Sequence, residues 1–284
     1  MKTIQAIIWM CCTLIVLSGP AMAADEDPAD LPWEKGYLNI GYYFANLNSS
    51  IRLGEGNLGV GIDLSMEDTL GLDTSQGSFR IEGGWRFSQN KRHKVELGWF
   101  SFHRSGSKYL DETFEIPPEL GGGTIGPGTF SSTFDFDIIK AKYEYSFLLD
   151  ERIDFNIGLG LFVMPFKFAT TVADGTNTGS VSESVTAPLP VISLGFDVVL
   201  APKWFIRQQT DLFYLEVDNY TGSIVDVQIA LEYLPWKNAG FGLGLDALTI
   251  KVEAEDDTDV PGVDFKGNME FDISGIQLYL KAYF

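Results

Sequence analysis

The sequence predicts an all-β fold, a transmembrane antiparallel up-and-down β-barrel of about ten strands. Three observations predict it. Segments along the chain alternate apolar and polar residues with a period of two. The connections between these segments are alternately short and long. The chain also ends on an alternating segment, "ISGIQLYLKAYF" (273–284), with Phe284 as its last residue. A soluble antiparallel sheet alternates too, but it has no reason to segregate connection length and commonly ends in a frayed polar tail.

In chain order, Lys2, the apolar run "AIIWMCCTLIVL" and "SGPAMA", with small residues at Ala21 and Ala23, read as a signal peptide cleaved after Ala23. The run is too short to be a comfortable membrane anchor. Both cysteines, Cys11 and Cys12, lie inside it, so the mature chain has no disulfide framework, no thiol chemistry and no lipidated cysteine. Loss of Lys2 moves the formal charge from −19 to −20. That charge argues against nucleic acid as a partner, because phosphate binding needs basic surface. Residues 24–35, "ADEDPADLPWEK", read as a short, flexible acidic lead-in on the periplasmic side.

From Gly36 onward ten segments are expected to be strands: 36–53, 76–88, 94–105, 133–148, 153–170, 188–200, 204–220, 222–235, 241–255 and 267–284. Each supplies the roughly 9–11 tilted residues of a membrane crossing. In "RIEGGWRF" (80–87), Ile81, Gly83, Trp85 and Phe87 share one face and Arg80, Glu82, Gly84 and Arg86 the other. "KAKYEYSF" (140–147) and "VDVQIALEY" (225–233) repeat the pattern. The short joins are "QNKR" (89–92), "DER" (150–152), "APK" (201–203) and "KNAG" (237–240); the long ones are 106–132, 171–187 and 256–266. Short turns at one end and long loops at the other is an outer-membrane barrel arrangement. A further hairpin within 51–66 would make twelve strands; a merger of two weak segments would make eight. Pro165 and Pro190 cannot donate to a ladder, so both are expected at the outer rim, outside the fully paired region. Trp85, Phe87, Phe147, Trp204, Trp236, Phe241 and Phe284 gather beside the short turns as an interfacial girdle.

The charged face is expected to line the lumen. It comprises Arg80, Glu82, Arg86, Glu96, Arg104, Lys140, Lys142, Glu144, Asp197, Arg207, Asp211, Asp226, Glu232 and Lys281, with Asp154 and Asp246 in the same phase. Opposed charges in a narrow barrel either pair as its core or form charged rings around a polar channel. The long loops are acidic, which keeps them solvated and also suits divalent cations bridging to lipopolysaccharide phosphates. "EAEDDTD" (253–259) lacks the spaced glycine and terminal glutamate of a dedicated calcium loop.

The signal peptide, the alternating strands and the closing "GIQLYLKAYF" resemble the small Gram-negative outer-membrane β-barrel proteins. The final strand of that class carries spaced apolar residues and ends in Phe; Gly275, Leu278, Leu280 and Phe284 match it. The resemblance implies an assembly signal in these four residues, read by the barrel assembly machinery. "IDLSMEDTLGLD" (62–73) also resembles a segment of uncharacterised members, with no role attached.

Some small barrels are enzymes with a histidine near the outer rim, and here only His93 and His103 are present. His93 falls at a periplasmic turn. His103 shares the lipid face with Val95, Leu97 and Trp99, near Ser105 and Asp111 in sequence. No catalytic residue, metal or cofactor is assigned. "PPELGGGTIGPGTFSST" (117–133) is Gly-rich, suited to folding inward as a partial plug and a poor rigid adhesin surface. The reading is a monomeric outer-membrane barrel with both termini periplasmic, surrounded by outer-membrane lipid and lipopolysaccharide. Its expected function is a narrow channel for small solutes, the alternative is a structural or loop-interacting barrel whose lumen is filled by salt bridges, and a lipid-modifying barrel enzyme using His103 ranks third.

Overall fold

The computed structural model describes residues 32–53, 62–111, 114–116, 123–125, 127–173, 178–217, 220–254 and 267–284. Residues 1–23, expected to be a signal peptide, lead-in residues 24–31 and the acidic stretch 255–266 lie outside them. The elements are β1 (Gly36–Leu53), β2 (Ile62–Ser65), α1 (Met66–Leu70), β3 (Ser75–Arg86), β4 (His93–Leu110), β5 (Phe114–Ile116) and β6 (Gly123–Ile125). They continue with β7 (Gly128–Leu149), β8 (Ile153–Ala173), β9 (Thr178–Ala201), β10 (Trp204–Val217), β11 (Tyr220–Tyr233), β12 (Ala239–Ala254) and β13 (Gly267–Tyr283).

Ten strands, β1, β3, β4 and β7 to β13, pair antiparallel with their neighbours and form a closed barrel. Closure runs from Tyr37↔Tyr283 to Leu53↔Gly267, so the last strand is paired along its length with the first and leaves no open edge. The hairpin anticipated near 51–66 does not add strands to the wall. β2 only pairs onto the end of β1, from Ser50↔Ser65 to Leu53↔Ile62, and β5–β6 is a separate small hairpin.

All the short turns fall at one end, the turn end. Outward side chains near it form an apolar belt, including Leu38, Ile40, Leu97, Leu159, Leu194, Leu243 and Leu278, all exposed. Every girdle aromatic anticipated beside the turns is exposed. Trp204 stacks on Tyr233 with centroids 4.5 Å apart, and His93 sits among Phe87, Tyr143 and Tyr145. Phe44, Phe79, Trp99 and Tyr214 give the belt a second aromatic border.

At the opposite, loop end the strands run longer than the sequence suggests. β7, β8 and β9 have 22, 21 and 24 residues, about twice a membrane crossing, so much of 106–132 and 171–187 is wall and not loop. The prolines do not end their strands. β8 and β9 stay paired through Pro165↔Thr186 and Pro190↔Leu161 to Ala173↔Thr178. What the prolines interrupt is one ladder each. Pro165 falls in a gap of the β7–β8 register between Phe136↔Phe166 and Ile139↔Val163. The β9–β10 register stops at Leu212↔Ile192, two residues before Pro190. A strand has two edges, and a missing N–H disables only the edge it would have served.

The inner face is not charged throughout. In the loop-end half the wall inverts: Tyr43, Phe100, Phe102, Phe134, Phe136, Ile138, Phe162, Met164, Phe271 and Ile273 form one buried inward core. Asp135, Asp137, His103, Ser274 and Thr249 lie on the opposite, outward face of the same strands. Where lipid surrounds a barrel, polar residues turn inward; where water surrounds it, burial drives apolar residues inward instead.

Candidate functional site

The lumen is the only part of the described structure where many functional side chains converge, and it is filled in stacked layers. The first is at the turn end. Trp33, with 1 % of its surface exposed, stoppers the mouth. Its Nε1 donates to the Asp150 carbonyl (2.7 Å), its own carbonyl accepts from Lys91 Nζ (3.0 Å), and its ring packs on Phe205, Leu149 and Leu234. Lys35 is tied by backbone bonds to Phe284 and Arg86. Residues 33–35 are therefore anchored, against the expectation of a flexible lead-in up to residue 35: a tryptophan and a carboxylate are more stable in a mouth that offers an apolar floor and two cations.

The second layer is ionic. Glu34 reaches Arg207 and Lys281, each at 2.8 Å. Burial would raise the Glu34 carboxyl, but these two cations hold it well below the usual carboxylate range. Arg207 also pairs with Asp197 (2.7 Å) and Glu232 (2.6 Å), and Lys281 with Glu232 (2.9 Å). Tyr279 donates to Glu232 at 2.7 Å. Arg86 pairs with Asp154 at 2.5 Å and Lys94 with Glu144 at 2.6 Å. Lys142 bridges Glu96 (2.8 Å), Asp211 (3.4 Å) and Glu144 (3.5 Å). Further up, Arg80 binds Asp246 at 2.7 Å and lies 3.5 Å from Glu82, and Lys140 binds Asp226. A polar cavity of about 70 Å³ remains between Glu82, Glu96, Gln208, Gln228 and Tyr279, room for a few waters.

The third layer is the aromatic core. Arg80 lies 4.7 Å over the Phe100 ring and Lys140 4.8 Å over Phe162, so cation–π contacts join it to the ionic layer. Phe134 and Phe271 stack at 5.3 Å across the barrel, with Phe136 and Phe166 beside them.

Above this core lies the segment 62–73 that carried no role in the sequence. It runs along β1, turns through α1 and folds back over the mouth, putting Met66 and Leu72 into the aromatic core. Arg104 belongs here and not to the main network. It binds Glu67, Ser49 Oγ (2.7 Å) and the Asp73 carbonyl (2.9 Å). Burial would raise the Glu67 carboxyl, but hydrogen bonds from the Ser49 hydroxyl and amide and from Arg104 hold it below its ordinary value. The strap matters because β3 and β4 are paired only from Arg86↔Lys94 to Arg80↔Phe100. Beyond that point the wall splits, and polar groups staple it: Ser78 Oγ to the Ser101 carbonyl (2.6 Å), Gln76 to the His103 carbonyl, and the Leu72↔Gly106 bridge. Gly106 is required by contact, since a Cβ there would sit 2.2 Å from the Gly71 carbonyl oxygen.

Thirteen of the fourteen candidate lumenal charges thus share the ionic layer, with Asp154 and Asp246 as partners. Glu34, Lys94, Tyr279 and Tyr37, whose hydroxyl donates to Glu96 at 2.5 Å, join the layer without being among the charges expected there. Lys94, in phase with Glu96, was legible; Glu34, outside any strand, was not. The inward phenylalanines were legible as well, because Phe100 and Phe102 continue the phase of Glu96, and Phe134 and Phe136 that of Lys140. His103 is exposed on the outer wall, in register with Asp135, and His93 Nδ1 lies 2.7 Å from Tyr143 Oη at the turn end. Among the described residues no three His, Asp or Glu side chains gather to hold a metal ion. Of the four residues expected to form an assembly signal, Leu278, Leu280 and Phe284 face outward, and Gly275 lies against the β1 backbone at Phe44 and Ala45.

No protein-family model and no curated protein matches the sequence. Among solved structures, the outer membrane protease OmpT of Escherichia coli superposes with a TM-score of 0.53 at 9 % identity, over 88 % of this chain and 96 % of that one. Neisserial surface protein A gives a TM-score of 0.33 at 10 % identity, over 88 % and 97 % of the two chains. The Pseudomonas putida toluene transporter TodX gives 0.32 at 8 %, over 93 % and 94 %. The OmpT likeness shows the fold: this chain is a barrel of the Gram-negative outer-membrane type.

Proposed function

We propose that this protein is an integral outer-membrane barrel with both termini on the periplasmic side and a closed lumen, acting as a structural or loop-interacting protein. The observation that carries this reading is the filling of the lumen by paired charges, followed by a dry aromatic core. An ion crossing it would have to displace salt bridges such as Arg207–Glu232 and then separate rings in contact, such as Phe134 and Phe271. Breaking one buried pair already costs several kcal/mol, about 3–5. The chain refolded into planar bilayers is expected to show no discrete conductance across a range of salt and pH, and a reproducible single-channel step would overturn closure. A second reading, the narrow small-solute channel, is favoured by one observation: the remaining cavity is polar and lined by both signs of charge. In that reading the Trp33–Glu34 stopper and the aromatic core are displaced together, and the same recording decides between the two.

The exposed apolar belt supports outer-membrane lipid and lipopolysaccharide as the surrounding partners in either reading. The exposed Leu278 and Leu280 on the last strand and Phe284 directly after it suit a signal read by the barrel assembly machinery before closure.

A further inference from the structure

Among the described residues the wall splits in two places at the loop end, and side-chain hydrogen bonds staple only one of the two. Between β3 and β4 polar side chains and the strap bridge it. Between β9 and β10 the register ends at Leu212↔Ile192 although both strands continue, β10 to Val217 and β9 to Thr178. Pro190 and Pro188 follow with the same parity, so neither offers an N–H, while the β8–β9 pairing runs on past both of them. Among the described residues no side-chain hydrogen bond spans this split. The inward side chains that flank it are apolar: Leu189 on β9, Phe213 and Leu215 on β10. Leu215 shares the inward phase of Asp211, yet 43 % of its surface is exposed, an unusual state for an inward residue in a wall whose other half buries its aromatics.

We infer that the β9–β10 slit is a binding site for an acyl chain of an outer-leaflet lipid. The occupant follows from continuity with the lipid-facing belt. Ile192 and Leu212, the last paired residues below the slit, are outward and exposed by 52 % and 38 %, so the slit begins where the lipid face ends. Leu189, Phe213 and Leu215 carry no charge to attract a headgroup, and Phe166 and Phe168 on β8 continue the apolar lining toward the aromatic core. A chain leaving the belt would exchange lipid for apolar side chains, while a polar solute would lose hydration without gaining hydrogen bonds. The site rests on the proposed membrane seating but not on the closed lumen.

The mature chain has no cysteine, so single-cysteine reporters are clean. Leu215→Cys, labelled with bimane and refolded into phosphatidylcholine vesicles, is expected to lose at least half its fluorescence when the acyl chains are brominated. Leu278→Cys, on the belt, is the control for membrane seating. Pro188→Val with Pro190→Val restores two ladder donors and should return the Leu215 reporter to background without changing the Leu278 reporter. Leu189→Glu, which leaves the ladder alone, should do the same by charging the slit. Quenching at 278 with none at 215 overturns the site and leaves the seating intact. Quenching at 215 that persists in both slit variants also overturns it. No quenching at either position overturns the seating, and the site with it.

Discussion

Arg207 holds three carboxylates at once, Glu34, Asp197 and Glu232, all between 2.6 and 2.8 Å. Its planar fork fits this role where a lysine would offer a single point charge. Such a group contributes little net stability compared with a well-packed apolar core, but its removal leaves charges buried without a partner. Arg207→Ala is therefore expected to lower the unfolding free energy of the refolded barrel by about 3–5 kcal/mol, read from urea titration in vesicles. An unchanged midpoint would mean that Lys281 and water satisfy the three acids alone. Residue chemistry of this kind was readable in advance. Arg207 and its partners Asp197 and Glu232 occupy one phase of the alternation, and a barrel gives that phase no other destination. The identity of each partner was not readable, because pairs such as Arg80 and Asp246 are 166 residues apart and meet only once curvature and register are set.

At the scale of elements, two features decide the loop end: the strap of β2 and α1, and the partial ladders of β3–β4 and β9–β10. The strap is held by Glu67, whose carboxyl is lowered by Ser49 and Arg104 despite its burial. A carboxyl lowered on folding contributes stability that is present above its unfolded pKa and lost as pH falls through its folded one. Hydrogen exchange across residues 62–73, taken relative to the intrinsic rate of the unfolded chain at each pH, is thus expected to accelerate as pH drops below the ordinary carboxylate range, and Glu67→Gln should abolish that dependence. Exchange that accelerates equally in the variant would assign the effect to other acids. The strap's five-residue helix, capped by Ser65 and ended by Gly71 at φ 71°, is too short to announce itself by periodicity. It forms because Met66 and Leu72 find an aromatic core beneath them. The prolines show the complementary limit: a missing donor was visible in the sequence, but which of two neighbours loses it depends on the register.

For the whole molecule, residue 284 extends the closing seam beyond the β1–β13 ladder. The Phe284 carbonyl accepts from the Lys35 and Gly36 amides at 2.8 and 3.0 Å, and its own amide donates to Gly36 at 2.9 Å. The side chain remains 71 % exposed, more than strand pairing alone requires. Deletion of Phe284 is expected to reduce the folded protein in cellular outer membranes several-fold while leaving refolding into detergent intact, measured by heat-modifiable gel mobility. An equal loss in both settings would make Phe284 only a clip between the first and last strands.

The period-two pattern and the uneven connections by themselves determined an up-and-down barrel of about ten strands, with eight and twelve left open, and the outward face of its turn-end half, because a barrel spanning a bilayer must satisfy its backbone internally and sort its side chains by solvent. The tertiary structure alone decided that the lumen is filled and not merely charged. It also decided that the strands outrun the membrane and turn their apolar face inward beyond it, and that, among the described residues, side chains staple one split in the wall and leave the other unbridged. Alternation specifies sides, whereas filling and splitting depend on how far opposite walls stand apart and where each ladder stops.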